Sequence, residues 1–256
     1  MLCGIKTKDN SKVFARDVLK SESPFACPKC GHNLILKKGQ IKVHHFAHKP
    51  PSSCQYGAGE TEAHRKCKET IYLELRRCNH VRDLDVEVNF GSVVADVYCK
   101  IGGVPVAIEI QRSNLSIQDI VSRTIEYERL GINVLWLALY DDRLKEDKYS
   151  PKAWEKWCHA TYFGRVYYWC SGLKVLPVHY SDYKLYVAES SWHNEYGEEE
   201  YAGGYDRVSK RYKTSVFGQQ LDLSSDFQPS YKQAWSGGTI QIPRCRIYLD
   251  KLRKWW

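Results

Sequence analysis

The chain has 256 residues, of which 43% are hydrophobic, and a formal net charge of +8. That length supports one large domain or two small ones with ample core; no run approaches the ~18 apolar residues of a membrane span, and MLCGIKTKDNSKVFARDVLK has no apolar signal region, so a cytoplasmic protein without a membrane partner is expected. Ten cysteines are too sparse for a disulfide scaffold of this size and point instead to metal binding in a reducing compartment.

The charge is unevenly placed. Residues 1–80 hold 15 Lys/Arg against 7 Asp/Glu, while the remaining residues hold 23 of each. A polyanion contact near the N-terminus follows from this asymmetry, with a solvated basic face as the plainer alternative. Residues 1–56 read as an N-terminal region with a zinc-finger-like module: FACPKCGHNLILKKGQIKVHHFAH carries C-x2-C-x14-H-x2-H. Two thiolates three apart bind one metal while Gly31 lets the backbone turn back, and NLILKKGQIKVHHF reads as a hairpin. Cys27, Cys30, His45 and His48 are the expected ligands of a structural Zn²⁺, with His45 and His48 on one side if HFAH begins a helical turn. His44 is an alternative to His45, and Cys54 to either histidine.

Residues 57–150 form the next unit. ETEAHRKCKETIYLELRR is helical, with Ala63, Cys67, Ile71 and Leu75 at four-residue spacing. Positions four apart drift only about 40° per step, so Glu60, His64 and Lys68 trace a polar stripe beside the apolar one. A surface salt-bridge ladder would have the same spacing, and if Thr61 is the N-cap then Glu60 precedes the helix. LDVEVNF follows as a strand, then a Gly91-Ser92 turn, then two apolar runs flanking Gly102-Gly103, a dipeptide suited to a tight hairpin. A hairpin centred there sets Asp96 opposite Glu109, with Gln111 two residues on along the same face. These groups lie among Val, Ala and Ile. Either they face solvent on a half-exposed sheet, or they share a divalent cation, for which Mg²⁺ or Mn²⁺ fits the oxygen donors. SIQDIVSRTIEYERL is a second helix with Ser116 as N-cap and Gly131 just past its end. NVLWLAL closes the unit as a strand buried on both faces. The order is α-β-β-β-α-β.

Residues 151–256 are aromatic-rich, holding seven of the eight Trp and twelve of the eighteen Tyr. RVYYWCSGLKVLPVHY reads as two strands about a Ser-Gly turn. Residues 187–240, with EYGEEEY and few aliphatics, are expected to be a long loop or partly disordered. Tyr167, Tyr168 and Trp169 are expected in the core, or as bases' stacking partners.

Residues 25–139 resemble the competence protein CoiA-like family, whose nuclease core belongs to the PD-(D/E)XK superfamily. The resemblance rests on CPKCG at 27–31, HFAH at 45–48, ETEAHRKCK at 60–68, ADV at 95–97, IEIQ at 108–111, SRTIEY at 122–127 and LWLAL at 135–139, with GRVYYW and PVHY at 164–169 and 177–180 as weaker landmarks. It implies an α/β, restriction-endonuclease-like core with Asp96 and Glu109 as ligands of Mg²⁺ or Mn²⁺. Ala95 replaces the superfamily's proline. Gln111 stands where its catalytic lysine usually is, and glutamine cannot carry charge or transfer a proton at neutral pH. Lys68 would then supply the missing charge, His64 a further ligand or a phosphate contact, and Gln111 a hold on the attacking water, while Glu60 joins the same stripe. Arg123 and Tyr127, one turn apart, would touch the substrate backbone. The implied activity is metal-dependent hydrolysis of DNA phosphodiester bonds, in DNA uptake and recombination or in defence against foreign DNA. The alternative is a non-catalytic DNA-binding protein that hands single strands to recombination proteins.

Overall fold

A computed structural model describes residues 1–51, 53–54, 56–57, 59–111, 115–238 and 240–252. The N-terminal part is a five-stranded sheet in the order β2-β1-β3-β4-β5, built from Cys3–Lys6 (β1), Ser11–Phe14 (β2), Phe25–Ala26 (β3), Asn33–Lys37 (β4) and His45–His48 (β5). Phe25, Leu34, Leu36 and Phe46 form its own small core. Leu2 and Cys3 instead belong to the main core, so β1 fastens this module to the rest of the chain.

The expected α-β-β-β-α-β order is present as Glu62–Leu75 (α1), Val81–Asn89 (β6), Val94–Ile101 (β7), Val104–Gln111 (β8), Ile117–Arg129 (α2) and Asn133–Leu139 (β9). Each boundary has a local cause. Thr61 caps α1 by accepting from the His64 N–H, and Ser116 caps α2 by accepting from the Asp119 N–H. Gly131 takes φ +70 past the end of α2, where its N–H reaches the Glu128 carbonyl. Cys67, Ile71 and Leu75 are buried along α1 as their spacing requires. The Gly102-Gly103 turn sets the anticipated register, with Val97 opposite Ile108 and Ile101 opposite Val104. β8 and β9 run parallel and are buried on both faces.

Residues beyond 150 extend this same sheet. Ala153–Thr161 is the third helix (α3), and Val166–Ser171 (β10) runs parallel to β9. Lys174–Val187 (β11) and Tyr205–Phe217 (β14) continue it as a long antiparallel ribbon, and between them Ser190–His193 (β12) and Glu199–Ala202 (β13) form a small hairpin. The expectation of loop or disorder over 187–240 is therefore corrected. The strands of this ribbon tip are exposed on both sides, so their pairing leaves no apolar alternation to read. Main-chain bonds and cross-strand pairs such as Lys213 with Asp182, 2.7 Å, hold the ribbon instead. Tyr167 and Tyr168 are fully buried core residues. Among the described residues no helix is long and apolar enough to cross a membrane.

Where α3 packs on β11, the His159 Nε2 accepts from the Tyr180 N–H at 3.1 Å and lies 3.1 Å from His179 Nδ1. A proton on that nitrogen would end its acceptance from the Tyr180 N–H, and burial, with His179 and Lys213 nearby, lowers the His159 pKa from 6.5 to about 4. The unfolded chain therefore binds this proton before the folded one does. Stability should fall as pH drops from about 6.5 to about 4, by on the order of 2–3 kcal/mol. Urea unfolding across that range should show a shallower acid limb for His159→Gln; identical profiles would remove His159 as the cause.

Candidate active site

The first turn of α1 and the facing ends of β6, β7 and β8 enclose a cleft of about 290 Å³, lined by Glu60, His64, Lys68, Glu87, Asp96 and Gln111 among others. Asp96 sits where β7 parts from β8: ladder pairing runs to Val97 opposite Ile108, and the next outward N–H, that of Ile110, donates to Asp96 Oδ2 at 2.9 Å. The same oxygen lies 3.1 Å from His64 Nε2, and Oδ1 lies 3.6 Å from Lys68 Nζ. Burial opposes ionisation of Asp96, but the positive charges of His64 and Lys68 and the His64 hydrogen bond hold its carboxyl well below the ordinary range.

Lys68 is 3% exposed and ringed by carboxylates. It contacts Glu60 closely and lies 2.7 Å from Glu87 Oε1. Burial alone would lower its pKa, yet Glu87, Asp96 and Glu60 together raise it well above normal, so it stays charged. Glu60 lies outside α1, ahead of the Thr61 cap, so the three-residue helical stripe does not exist as such. Glu60 reaches the site from the preceding loop and also meets the Met1 amine at 2.7 Å and Arg65 at 3.9 Å.

Glu87 was missed from the sequence. It holds φ +51 within β6, with its carboxylate accepting from the Leu2 N–H at 2.7 Å and the Cys3 N–H at 3.0 Å besides Lys68. Val86 pairs with Val97 and Val88 with Ala95, which sets Glu87 across from Asp96. The Gly91-Ser92 turn carries that register, so the rule that pairs Asp96 with Glu109 also finds Glu87 when applied one hairpin earlier.

Glu109 is 0% exposed and does not line the cleft. Arg123 Nη2 donates to its Oε2 at 2.5 Å and the Tyr127 hydroxyl donates to Oε1. Arg123 also donates to the Val94 carbonyl at 3.0 Å and packs over the Trp136 ring. Arg123 and Tyr127, expected on the substrate backbone, are thus turned inward: the one-turn spacing faces both toward β8. Burial pushes the Glu109 carboxyl up to about 7, with Arg123 opposing the rise and Asp96 adding to it.

The metal module differs from expectation at one ligand. Cys27, Cys30, His48 and Cys54 bring their donor atoms within 4.8 Å of one another, a set suited to a structural metal such as zinc. His45 is not among them; its Nδ1 contacts the Val43 carbonyl at 2.8 Å. HFAH is a strand rather than a helical turn, and residues three apart on a strand point to opposite faces. The knuckle itself is as the spacing requires, with Gly31 at φ +71 and its N–H on the Cys27 carbonyl at 2.9 Å. Elemental analysis should therefore find about one zinc per chain in wild type and His45→Ala, and little in Cys54→Ser or Cys27→Ser/Cys30→Ser. Zinc lost from His45→Ala but kept by Cys54→Ser would reverse the assignment.

Comparison with known proteins agrees with this layout. The family model for the competence protein CoiA N-terminal domain matches residues 8–57, and that for the CoiA nuclease-like domain matches residues 60–176. Competence protein CoiA of Bacillus subtilis (strain 168) is 30% identical over 122 residues, a match that covers 47% of this chain and 32% of that protein. The chain thus aligns with about a third of that relative's length. No solved structure matches. With the metal module and the nuclease-like unit matched in their chain order, this protein belongs to the competence protein CoiA-like family.

Proposed function

We propose that the protein is a divalent-metal-dependent DNA nuclease of PD-(D/E)XK type, working on phosphodiester bonds in the cytoplasm during DNA uptake and recombination or in defence against foreign DNA. The observation that carries this reading is Asp96 at the parting of β7 and β8, an ionised carboxylate in a cleft shared with His64, Lys68 and Gln111. Asp96, Glu109 and the Gln111 carbonyl are oxygen donors of the kind Mg²⁺ or Mn²⁺ takes, and would hold the cation once Arg123 yields a Glu109 oxygen. The cation would supply a Lewis acid for the phosphate and lower the pKa of bound water. Lys68 contributes fixed positive charge beside Asp96, in place of the lysine absent at 111. His64 orients Asp96, and Arg123 with Tyr127 keeps Glu109 positioned before the cation arrives. The Gln111 amide orients the water without taking its proton.

The basic module would hold the strand through phosphates, which position without specifying sequence. Lys38 is committed within the fold, donating to the Arg16 and Val18 carbonyls at 3.0 and 2.9 Å, whereas Lys20, Lys37 and Lys42 are exposed. Replacing those three with Gln should weaken binding similarly on unrelated sequences and flatten the slope of log K against log salt by about 3. An unchanged slope would move the DNA contact elsewhere.

A second reading, non-catalytic DNA binding and hand-off to recombination proteins, is favoured by one observation: Glu109 is engaged by Arg123 and Tyr127, with glutamine at 111. Incubating wild type and Asp96→Ala with circular single- and double-stranded DNA in Mg²⁺, Mn²⁺ or chelator separates the two. Metal-dependent nicking lost in Asp96→Ala supports the nuclease; tight binding by both with no nicking under any condition supports hand-off.

A further inference from the structure

We infer that the β4–β5 loop is a DNA wedge, with Ile41 inserting between neighbouring bases while Lys20, Lys37 and Lys42 hold the flanking phosphates. The inference rests on the DNA-binding part of the proposed function and adds the way in which DNA is engaged. Ile41 is 97% exposed, more than any other large hydrophobic side chain among the described residues. Single exposed apolar residues are ordinary on protein surfaces. This one differs in its support and its surroundings.

The loop that presents Ile41 is pinned from three sides. The His44 Nε2 lies 3.1 Å from the Gly39 carbonyl, closing the loop on itself. The Val43 N–H donates to Glu62 Oε1 at 2.6 Å, and Lys38 Nζ donates to the Arg16 and Val18 carbonyls. An apolar tip is thus held out in water by a frame that orders the residues on both sides of it. Glu62 lies in the first turn of α1, the helix that carries His64 and Lys68, so the loop is fixed to the element that builds the cleft. Around Ile41, a concavity of about 570 Å³ is lined by Lys20, Lys37, Lys38, Lys42 and His45, with no acidic side chain among its lining residues.

Charge and size select the occupant. A lysine-rimmed surface complements a polyanion, which leaves nucleic acid or an anionic lipid surface. One isoleucine buries too little apolar area to hold a protein on a bilayer, where stable attachment needs a whole apolar helix face or two anchoring signals. A base step needs one apolar wedge flanked by cationic side chains, and Ile is among the residues used for it. DNA therefore fits where a bilayer does not.

The test uses the full chain in chelator, so cleavage does not enter. A short duplex carrying 2-aminopurine reports unstacking by a rise in fluorescence. Wild type should bind and raise it. Ile41→Ala should lose most of the rise and bind roughly tenfold more weakly, a loss of about 1.4 kcal/mol, at an unchanged salt slope. Ile41→Leu should keep both. Because the side chain is 97% exposed, all three proteins should melt alike. Binding without a fluorescence rise, or an Ile41→Ala protein equal to wild type in both readouts, overturns the wedge and leaves the nuclease reading standing. Wild type that binds no DNA overturns both. Ile41-dependent attachment to phosphatidylserine vesicles with DNA binding insensitive to Ile41 reassigns the loop to membranes. Absence of cleavage in Mg²⁺, by contrast, tests the nuclease reading alone.

Discussion

Asp96→Asn should lower metal-dependent DNA cleavage by about 10³-fold or more while leaving the protein folded. The substitution keeps an oxygen that accepts from the Ile110 N–H, so the local backbone loses little. It removes the charge that His64 and Lys68 hold ionised and that a divalent cation requires. Plasmid nicking in Mg²⁺ and Mn²⁺, with thermal unfolding as the control, measures both parts. Combining it with Glu109→Gln should cost little more than either change alone, since groups serving one cation are not additive. Cleavage within tenfold of wild type in a folded Asp96→Asn protein would end the assignment of Asp96 as a ligand.

Lys68→Ala should destabilise the protein by about 3–5 kcal/mol, because it removes the buried cation that Glu60, Glu87 and Asp96 share. Glu87 would keep the Leu2 and Cys3 N–H groups, but Glu60 would lose its closest partner. The pH dependence has a definite sign. Burial pushes the Glu60 carboxyl up and the Lys68 charge holds it below the ordinary range, so without Lys68 its pKa rises, and the variant should recover stability relative to wild type as pH falls and Glu60 protonates. Lys68→Arg should retain most stability, and its cleavage then isolates the part lysine plays in chemistry. Gln111→Lys, which restores the commoner motif, should partly rescue cleavage in a Lys68→Ala protein kept folded at low temperature. Guanidinium unfolding of Lys68→Ala within 1 kcal/mol of wild type would mean that the carboxylate ring does not depend on this cation.

Local pattern alone determined the order of elements from α1 to β9, the Ser116 cap of α2, the register about Gly102-Gly103 and the Cys27–Cys30 knuckle, while the start of α1 stayed open between Glu60 and the Thr61 cap. Each depends on the bonding geometry of residues near in sequence, which composition and spacing express directly. The remaining features belong to tertiary structure. Whether His45 or Cys54 completes the metal set depends on whether HFAH is helix or strand, and pairing with β4 decided that. Arg123 and Tyr127 have the spacing of a surface pair, and only the packing of α2 against β8 turned them onto Glu109. Glu87 entered the site through a second hairpin register and a left-handed backbone position, at the point where β1 docks. The β11–β14 ribbon has no buried stripe at its tip, so long-range strand pairing was its only signal. Short-range geometry thus wrote the framework into the sequence, while the partner of each buried charge was settled by contacts between residues far apart in the chain.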